Sequence, residues 1–378
     1  MTTCVLDTLA PLVRKGEQIY DRLKYKLYYA LGGPGPIKIQ PYRGYGTADR
    51  LYLKGRVLED RGITPAGESD SPWQNFINMW KRMASREVPH AKLVARFQGQ
   101  EQEVVADEEG MFEVWVEPKQ PLPPEKHWHS ITLELREPRS KQQEGTVRAT
   151  GQVLVPLPTA NFAVISDIDD TVLQTGAPDR AQMLRNALVS NARTRLPLPG
   201  VAAFYRALHA GQSGHDGNPL LYVSNSPWNL YDLLVEFFDL HDIPIGPVLF
   251  LRNWGVYKDE LLPTDHRKYK LPVIRQMVDL YADLPFILIG DSSEADPEIY
   301  YEIVQRYPGR VLAIYIHDVG KDLERPAAIR ALAEQVVEAG STLVLAENSL
   351  ILARHAARQG WIQHEALAHI EEELPIVT

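Results

Sequence analysis

Downstream of Pro156 the chain stops alternating polar and apolar residues and begins to place unbroken apolar runs between helical stretches. No other feature narrows the fold as far. The runs expected as strands are Phe162–Ser166, Leu220–Ser224, Val248–Leu251, Phe286–Ile289, Val311–Ile316 and Thr342–Leu345. Between and after them, helical spacing predicts Ala181–Thr194, Val201–Ala210, Pro227–Leu240, Lys270–Tyr281, Pro297–Arg306, Pro326–Ala339 and Ser349–Arg358. A strand apolar on both faces needs cover on both, and intervening helices supply it. The expected architecture for 157–378 is therefore α/β, a doubly wound parallel sheet. Such a sheet takes its ligands beyond the carboxyl ends of its strands.

Upstream, over 46–156, the period is two. Candidate strands are Leu51–Leu58, Ala91–Gln98, Glu101–Ala106, Met111–Glu117, Ser130–Glu137 and Val147–Val155, with one helical insertion at Trp73–Met83. Six short alternating strands predict a β-sandwich domain. Residues 1–45 read as an amphipathic helix over 5–30, stopped by Gly32 and Gly33, and then a Gly/Pro-rich loop.

Charge and composition remove several functions. The net charge is −9, which argues against a chain built to grip nucleic acid. Residues 1–50 run the other way, with eight Lys/Arg against four Asp/Glu. That excess suits either a helix packed internally or one lying on an anionic bilayer. A single cysteine, Cys4, excludes a disulfide framework or a multi-cysteine metal site. No apolar run reaches the roughly 18 residues that span a bilayer, so a cytoplasmic location is expected, with peripheral membrane contact if the substrate is a lipid.

Three strand ends carry the chemistry. Ala163-Val-Ile-Ser-Asp167-Ile-Asp169-Asp170-Thr171 puts three carboxylates just past a buried strand. They repel one another, and a divalent cation relieves that repulsion. Phe286-Ile-Leu-Ile-Gly290-Asp291 is a second acidic end, followed by Glu294 and Asp296. Side by side, the two would form an oxygen-rich pocket suited to Mg²⁺. The third end, Tyr222-Val-Ser224-Asn225-Ser226-Pro227, has no acid but opens a helix, where free N–H groups favour an anion. Lys268 and Lys270 begin a further helix, and either could supply a cation to the site. Two histidine features stand apart: His127-x-His129, with no third ligand, which suits a surface or edge position, and His317 at a strand end.

Together these pieces resemble the haloacid dehalogenase superfamily of phosphohydrolases. More closely, the chain is similar to the actin-patch-protein type of phosphatidate phosphatase and its bacterial relatives. The matching stretches are Ser166-Asp-Ile-Asp-Asp-Thr171, Leu198-Pro-Gly-Val201 with Phe204-Tyr205, Tyr222-Val-Ser-Asn-Ser-Pro-Trp228, Leu251-Arg-Asn-Trp-Gly255, Ile289-Gly-Asp-Ser292 and Asp296-Pro-Glu-Ile-Tyr300, with a looser likeness around Gly55-Arg-Val57. The resemblance implies that Asp167 attacks phosphorus and that Asp169 serves as acid and then base. It implies that Thr171, Ser224, Asn225 and Lys270 hold the phosphoryl group. Asp167, Asp169 (through its carbonyl), Asp291 and Asp296 would hold Mg²⁺. The spacing of Lys270 to Ile274 fits the family better than that of Lys268. The implied reaction is hydrolysis of a phosphomonoester, phosphatidate to diacylglycerol, through an aspartyl phosphate. Where the family continues Gly-Asp-Ser with Gly-Gln, this chain has Ser293-Glu294, which bears on metal affinity or on the substrate's head. Other readings are an inactive phosphatase-like adaptor binding lipid or protein partners, and a phosphatase for a non-lipid ester. An all-helical terpene cyclase, which shares the D-x-D-D-T run, conflicts with the strand that precedes it. In any of the phosphatase readings, Mg²⁺ is expected to stabilise the catalytic unit and leave the β-rich unit unaffected.

Overall fold

The computed structural model describes residues 35–62, 86–173, 196–252, 266–320 and 324–375. The helices expected over 5–30, Trp73–Met83 and Ala181–Thr194 lie outside the described residues, as does the Asn253-Trp-Gly255 part of one motif.

Eight strands form the first sheet: β1 (Ile37–Pro41), β2 (Gly44–Gly46), β3 (Leu51–Glu59), β4 (Lys92–Phe97), β5 (Gln100–Val105), β6 (Met111–Val116), β7 (Trp128–Glu137) and β8 (Arg148–Leu154). The order is β1-β3-β2-β8-β7-β4-β5, with β6 paired to β3. All pairings are antiparallel except β2 with β8. The sheet is continuous, and alternate residues from both of its ends (Ile37, Leu53, Phe112, Leu93, Val104, Ile131) meet in one core. Strands β1 and β2 fall where a Gly/Pro-rich loop is expected from the sequence. The reason is backbone proximity. A Cβ at Gly44 would sit 2.0 Å from the Tyr52 carbonyl oxygen, and one at Gly46 2.4 Å from that of Arg50. Glycine here permits close strand pairing rather than a turn.

The second sheet contains β9 (Ala163–Asp167), β10 (Leu220–Pro227), β11 (Val248–Arg252), β12 (Phe286–Asp291), β13 (Val311–His317) and β14 (Leu343–Ala346), all parallel, in the order β11-β10-β9-β12-β13-β14. Seven helices accompany it among the described residues: α1 (Val201–Ala210), α2 (Tyr231–Leu240), α3 (His266–Leu280), α4 (Asp296–Arg306), α5 (Arg325–Glu338), α6 (Ser349–Arg358) and α7 (Ala366–Glu372), with a 3-10 turn at Trp228–Leu230. Alternate strand residues separate into two cores. Val164, Tyr222, Ile287 and Tyr315 pack with α1, α2, α6 and α7. Ala163, Ile165, Leu288 and Ile314 pack with α3, α4 and α5. Both faces of the sheet are thus covered, as its unbroken apolar strands require.

The β-rich part is fastened to this second unit. Tyr42 stacks on Trp228 with ring centres 4.4 Å apart and meets Tyr231 edge-on at 4.7 Å. Tyr42 and Met111 belong to one core of the parallel sheet and Tyr45 to the other. The Arg43 amide donates to Tyr231 Oη at 2.8 Å, and Gln276 donates to Tyr45 Oη at 3.0 Å. No helix among the described residues is long and apolar enough to cross a membrane.

Candidate active site

The order in which strands are added to the parallel sheet reverses between β9 and β12. Strands β10 and β11 extend one way, β13 and β14 the other, and the crevice opens at the carboxyl ends between them. Register fixes which residues share that crevice. Asp167 lies opposite Val223, one residue before Ser224, and Ser166 lies opposite Ile289, two residues before Asp291. The two acidic strand ends are immediate neighbours, as the sequence reading requires.

Asp167, Asp291 and Asp296 are all buried, and each offers one carboxylate oxygen within 4.8 Å of the others. The last comes from the first residue of α4, whose N-terminus faces the crevice. Lys270 of α3 has no exposed surface. Its Nζ donates to Asp167 Oδ1 at 2.7 Å and to Asp296 Oδ1, and lies 3.6 Å from Glu294 Oε2. Of the two lysines, only Lys270 lies among the carboxylates; Lys268 is exposed, over the Tyr269 ring.

Burial sets the electrostatics. It opposes the Lys270 ammonium, but Asp167 and Asp296 outweigh it and hold that lysine well above its ordinary range. Burial pushes Asp167 up, against the pull of Lys270, and the nearby charges of Asp296, Glu294 and Asp169 push the same way. Burial likewise moves Asp296 up to about 7. Asp291 is raised by burial, although Ser293 draws it back down. Four carboxylates share one ammonium, so ionising them all would leave a surplus of negative charge that needs a further cation.

Two oxygens in this cluster, Asp167 Oδ2 and Asp291 Oδ2, are buried without a hydrogen bond, and so is Thr171 Oγ1 nearby. Buried carboxylate oxygens are seldom left so. Hard oxygen donors, surplus negative charge and unsatisfied lone pairs all fit Mg²⁺.

The remaining expected residues fall as follows. Ser224 is fully buried in β10, where the pairing with β11 becomes irregular, and the strand runs three residues past the end expected from the sequence, to Pro227. Asn225 follows it on the same strand. Asp169 is half-buried, and its side chain is outside the three-carboxylate group. The turn that carries it is tight: Ile168 O accepts from Val172 N at 2.8 Å and Leu173 N at 3.0 Å, and Asp170 has a φ of 54°. Ser166 Oγ donates to the Asp167 carbonyl at 2.6 Å and lies 2.7 Å from Tyr205 Oη, tying the strand end to α1. The Phe204-Tyr205 motif marks this residue in the sequence, though not its task. His317, opposite Asp291 in the ladder, is buried with neither ring nitrogen paired, and burial lowers it to about 4, leaving it neutral. The surface or edge position expected for the His127-x-His129 pair does not hold for His129, whose strand β7 lies inside the sheet between β8 and β4, while His127 is half-buried. His129 is buried, and His127 lies against His209 of α1, ring centres 5.8 Å apart.

Comparison with known proteins adds the following. Residues 162–318 match the family model described as phosphatidate phosphatase APP1, catalytic domain. The phosphatidate phosphatase APP1 of Saccharomyces cerevisiae is 33% identical over 156 residues, 41% of this chain and 25% of that protein. An uncharacterized protein of Schizosaccharomyces pombe is 29% identical over 188 residues, 49% of this chain and 29% of that one. The chain therefore spans under a third of the length of these curated relatives. Among solved structures, a carbohydrate acetylesterase of Xanthomonas citri aligns over 84% of this chain and 72% of its own, at 14% identity and a TM-score of 0.27, too low to indicate a common fold. The resemblance drawn from the motifs is borne out over 162–318, and the class it resembles is a phosphoric monoester hydrolase.

Proposed function

We propose that this protein is a Mg²⁺-dependent phosphatase that hydrolyses a phosphomonoester, with phosphatidate as substrate and diacylglycerol as product. One observation carries the reading: a buried lysine and three converging carboxylates, two with an unsatisfied oxygen, at the point where the strand order reverses in a parallel sheet. The strand order, first strand central and the next two on one side, supports a doubly wound, haloacid dehalogenase-like fold. The curled β-rich sheet is read as a sandwich-like support.

In this mechanism an Asp167 carboxylate oxygen forms a bond to phosphorus as the bond from phosphorus to the ester oxygen breaks. Asp169 delivers its proton to the departing alkoxide, then removes one from the water that hydrolyses the aspartyl phosphate. Ser224, Thr171 and Asn225 orient the phosphoryl oxygens, and Lys270 counters charge on the phosphorylated Asp167. A nucleophilic carboxylate must be ionised, which burial opposes at Asp167 and Lys270 favours. Asp167, Asp291, Asp296 and the Asp169 carbonyl would hold Mg²⁺, which when bound keeps these carboxylates ionised and offsets phosphate charge. Because a lipid phosphate is presented at a bilayer surface, the proposal includes peripheral membrane contact from the cytoplasm.

A phosphate-release assay of the full chain against phosphatidate, lysophosphatidate, diacylglycerol pyrophosphate, a phosphoprotein and small sugar phosphates tests it, with Mg²⁺ and with excess chelator. Release from phosphatidate, abolished by chelator, is expected. Preference for a sugar phosphate overturns the substrate. No release from any of them favours the inactive adaptor.

A further inference from the structure

Asp291 has one well-held oxygen and one bare one. Ser293 donates to Asp291 Oδ1 from both its amide (2.6 Å) and its hydroxyl (2.5 Å), and Glu294 N adds a third bond at 3.2 Å. Oδ2 has no hydrogen bond. The carboxylate is thereby turned so that one oxygen faces the other acids. This works only while residues 292–294 keep their turn.

The turn is held from a distant part of the chain. Arg325, the first residue of α5, donates from Nε to the Ser292 carbonyl at 3.0 Å and from Nη2 to the Glu294 carbonyl at 2.8 Å. Its two Nη atoms also reach the Glu298 carboxylate, at 2.5 and 2.8 Å, so the fork is pinned on α4 as well. Helix stability does not account for an arginine there, since a cation at a helix N-terminus opposes the helix dipole. Nor does the matched family segment include it, since that ends at 318.

We infer that Arg325 is a positioning residue for the metal site: its guanidinium clamps the 292–294 turn, and so sets how tightly Asp291 holds Mg²⁺. This rests on the metal reading above. The direction of the effect separates it from simple electrostatics. A nearby positive charge repels Mg²⁺, so losing that charge alone would tighten metal binding. Losing the clamp weakens it. Lysine restores the charge but cannot span three acceptors with a rigid fork, so Arg325→Lys is expected to fail as a rescue.

The test is Mg²⁺ titration of the full chain by calorimetry and by melting temperature, for wild type, Arg325→Met, Arg325→Lys and Glu298→Gln, with hydrogen exchange at the Ser293 and Glu294 amides in metal-free protein. In both Arg325 variants the half-saturating Mg²⁺ is expected to rise about tenfold or more and both amides to exchange faster. Glu298→Gln, which loosens the fork without removing it, should shift both in the same direction by less. Tighter Mg²⁺ binding in Arg325→Met, or an unchanged midpoint with only a lower melting temperature, overturns the inference, as does full rescue by lysine. Should Arg325→Met not fold, an unchanged midpoint in Glu298→Gln does the same. A wild-type chain that takes up no Mg²⁺ defeats the metal reading itself, and the inference with it.

Discussion

An ammonium with no exposed surface survives at Lys270 because Asp167 and Asp296 contact it directly. Removing one partner of such a group leaves charge buried and uncompensated, at a cost of about 3–5 kcal/mol. Lys270→Met should lose about that much stability at pH 8 in metal-free protein, and less at pH 5, where the carboxylates take up protons. Urea unfolding at both pH values measures this, and a loss below about 1 kcal/mol at pH 8 would contradict the charge balance described. Asp296 yields a second expectation. Its ordinary value of 3.8 is raised to about 7 by burial, so the folded chain binds more protons than the unfolded chain between those values. Its contribution to metal-free stability must therefore fall as pH rises from about 4 to about 7. Mg²⁺ requires the ionised form, so the melting-temperature gain on adding Mg²⁺ should grow across the same interval. A Mg²⁺ effect equal at pH 5 and pH 8 would count against it.

The two kinds of strand end should fail differently. β12 ends in a buried acid, whereas β10 carries Ser224 on an uncharged stretch that runs on to Pro227 and then into a 3-10 segment and α2. Asp291→Asn is expected to raise the Mg²⁺ needed for half-maximal rate about tenfold or more. Ser224→Ala should lower turnover about tenfold or more at a nearly unchanged Mg²⁺ requirement. Titrating metal and substrate separately in each variant distinguishes them. If Ser224→Ala moves the metal midpoint and Asp291→Asn does not, the two ends have been given each other's tasks.

At the scale of the whole molecule, the Pro156-Leu-Pro boundary suggests two units that respond separately, yet they share core. Tyr42 and Met111 enter one core of the parallel sheet, Tyr45 enters the other, and Tyr42 lies on the Trp228 turn four residues after Ser224. One cooperative melting transition is expected, shifted upward as a whole by Mg²⁺, rather than a catalytic unit stabilised alone. Tyr42→Ala should separate it into two. Calorimetry decides: two transitions in wild type, with only one moved by Mg²⁺, would mean the shared core couples nothing. Much of this design was legible in the sequence where hydropathy alone determines the outcome. The strands from Ala163 to Ala346 are unbroken apolar runs and their ends announce the carboxylates, whereas Lys270 is preferred to Lys268 only through the family resemblance, by its spacing to Ile274. Glycines that admit close strands at 44 and 46 look like turn residues. His129 faces a core because its strand begins two residues earlier than alternation suggests. Arg325 acts on backbone carbonyls some thirty residues away, which no local pattern encodes; its only trace is a cation at the wrong end of a helix.

The central claim is that Asp167 is the nucleophile. Rapid quenching of the full chain during turnover of ³²P-labelled phosphatidate with Mg²⁺, then borohydride reduction and peptide mass analysis, tests it most directly. Acid-stable label on the protein is expected, with reduction at residue 167 and loss of both label and turnover, by about two orders of magnitude or more, in Asp167→Asn. Steady turnover by Asp167→Asn at a near-normal rate, or label found at another residue, would contradict it.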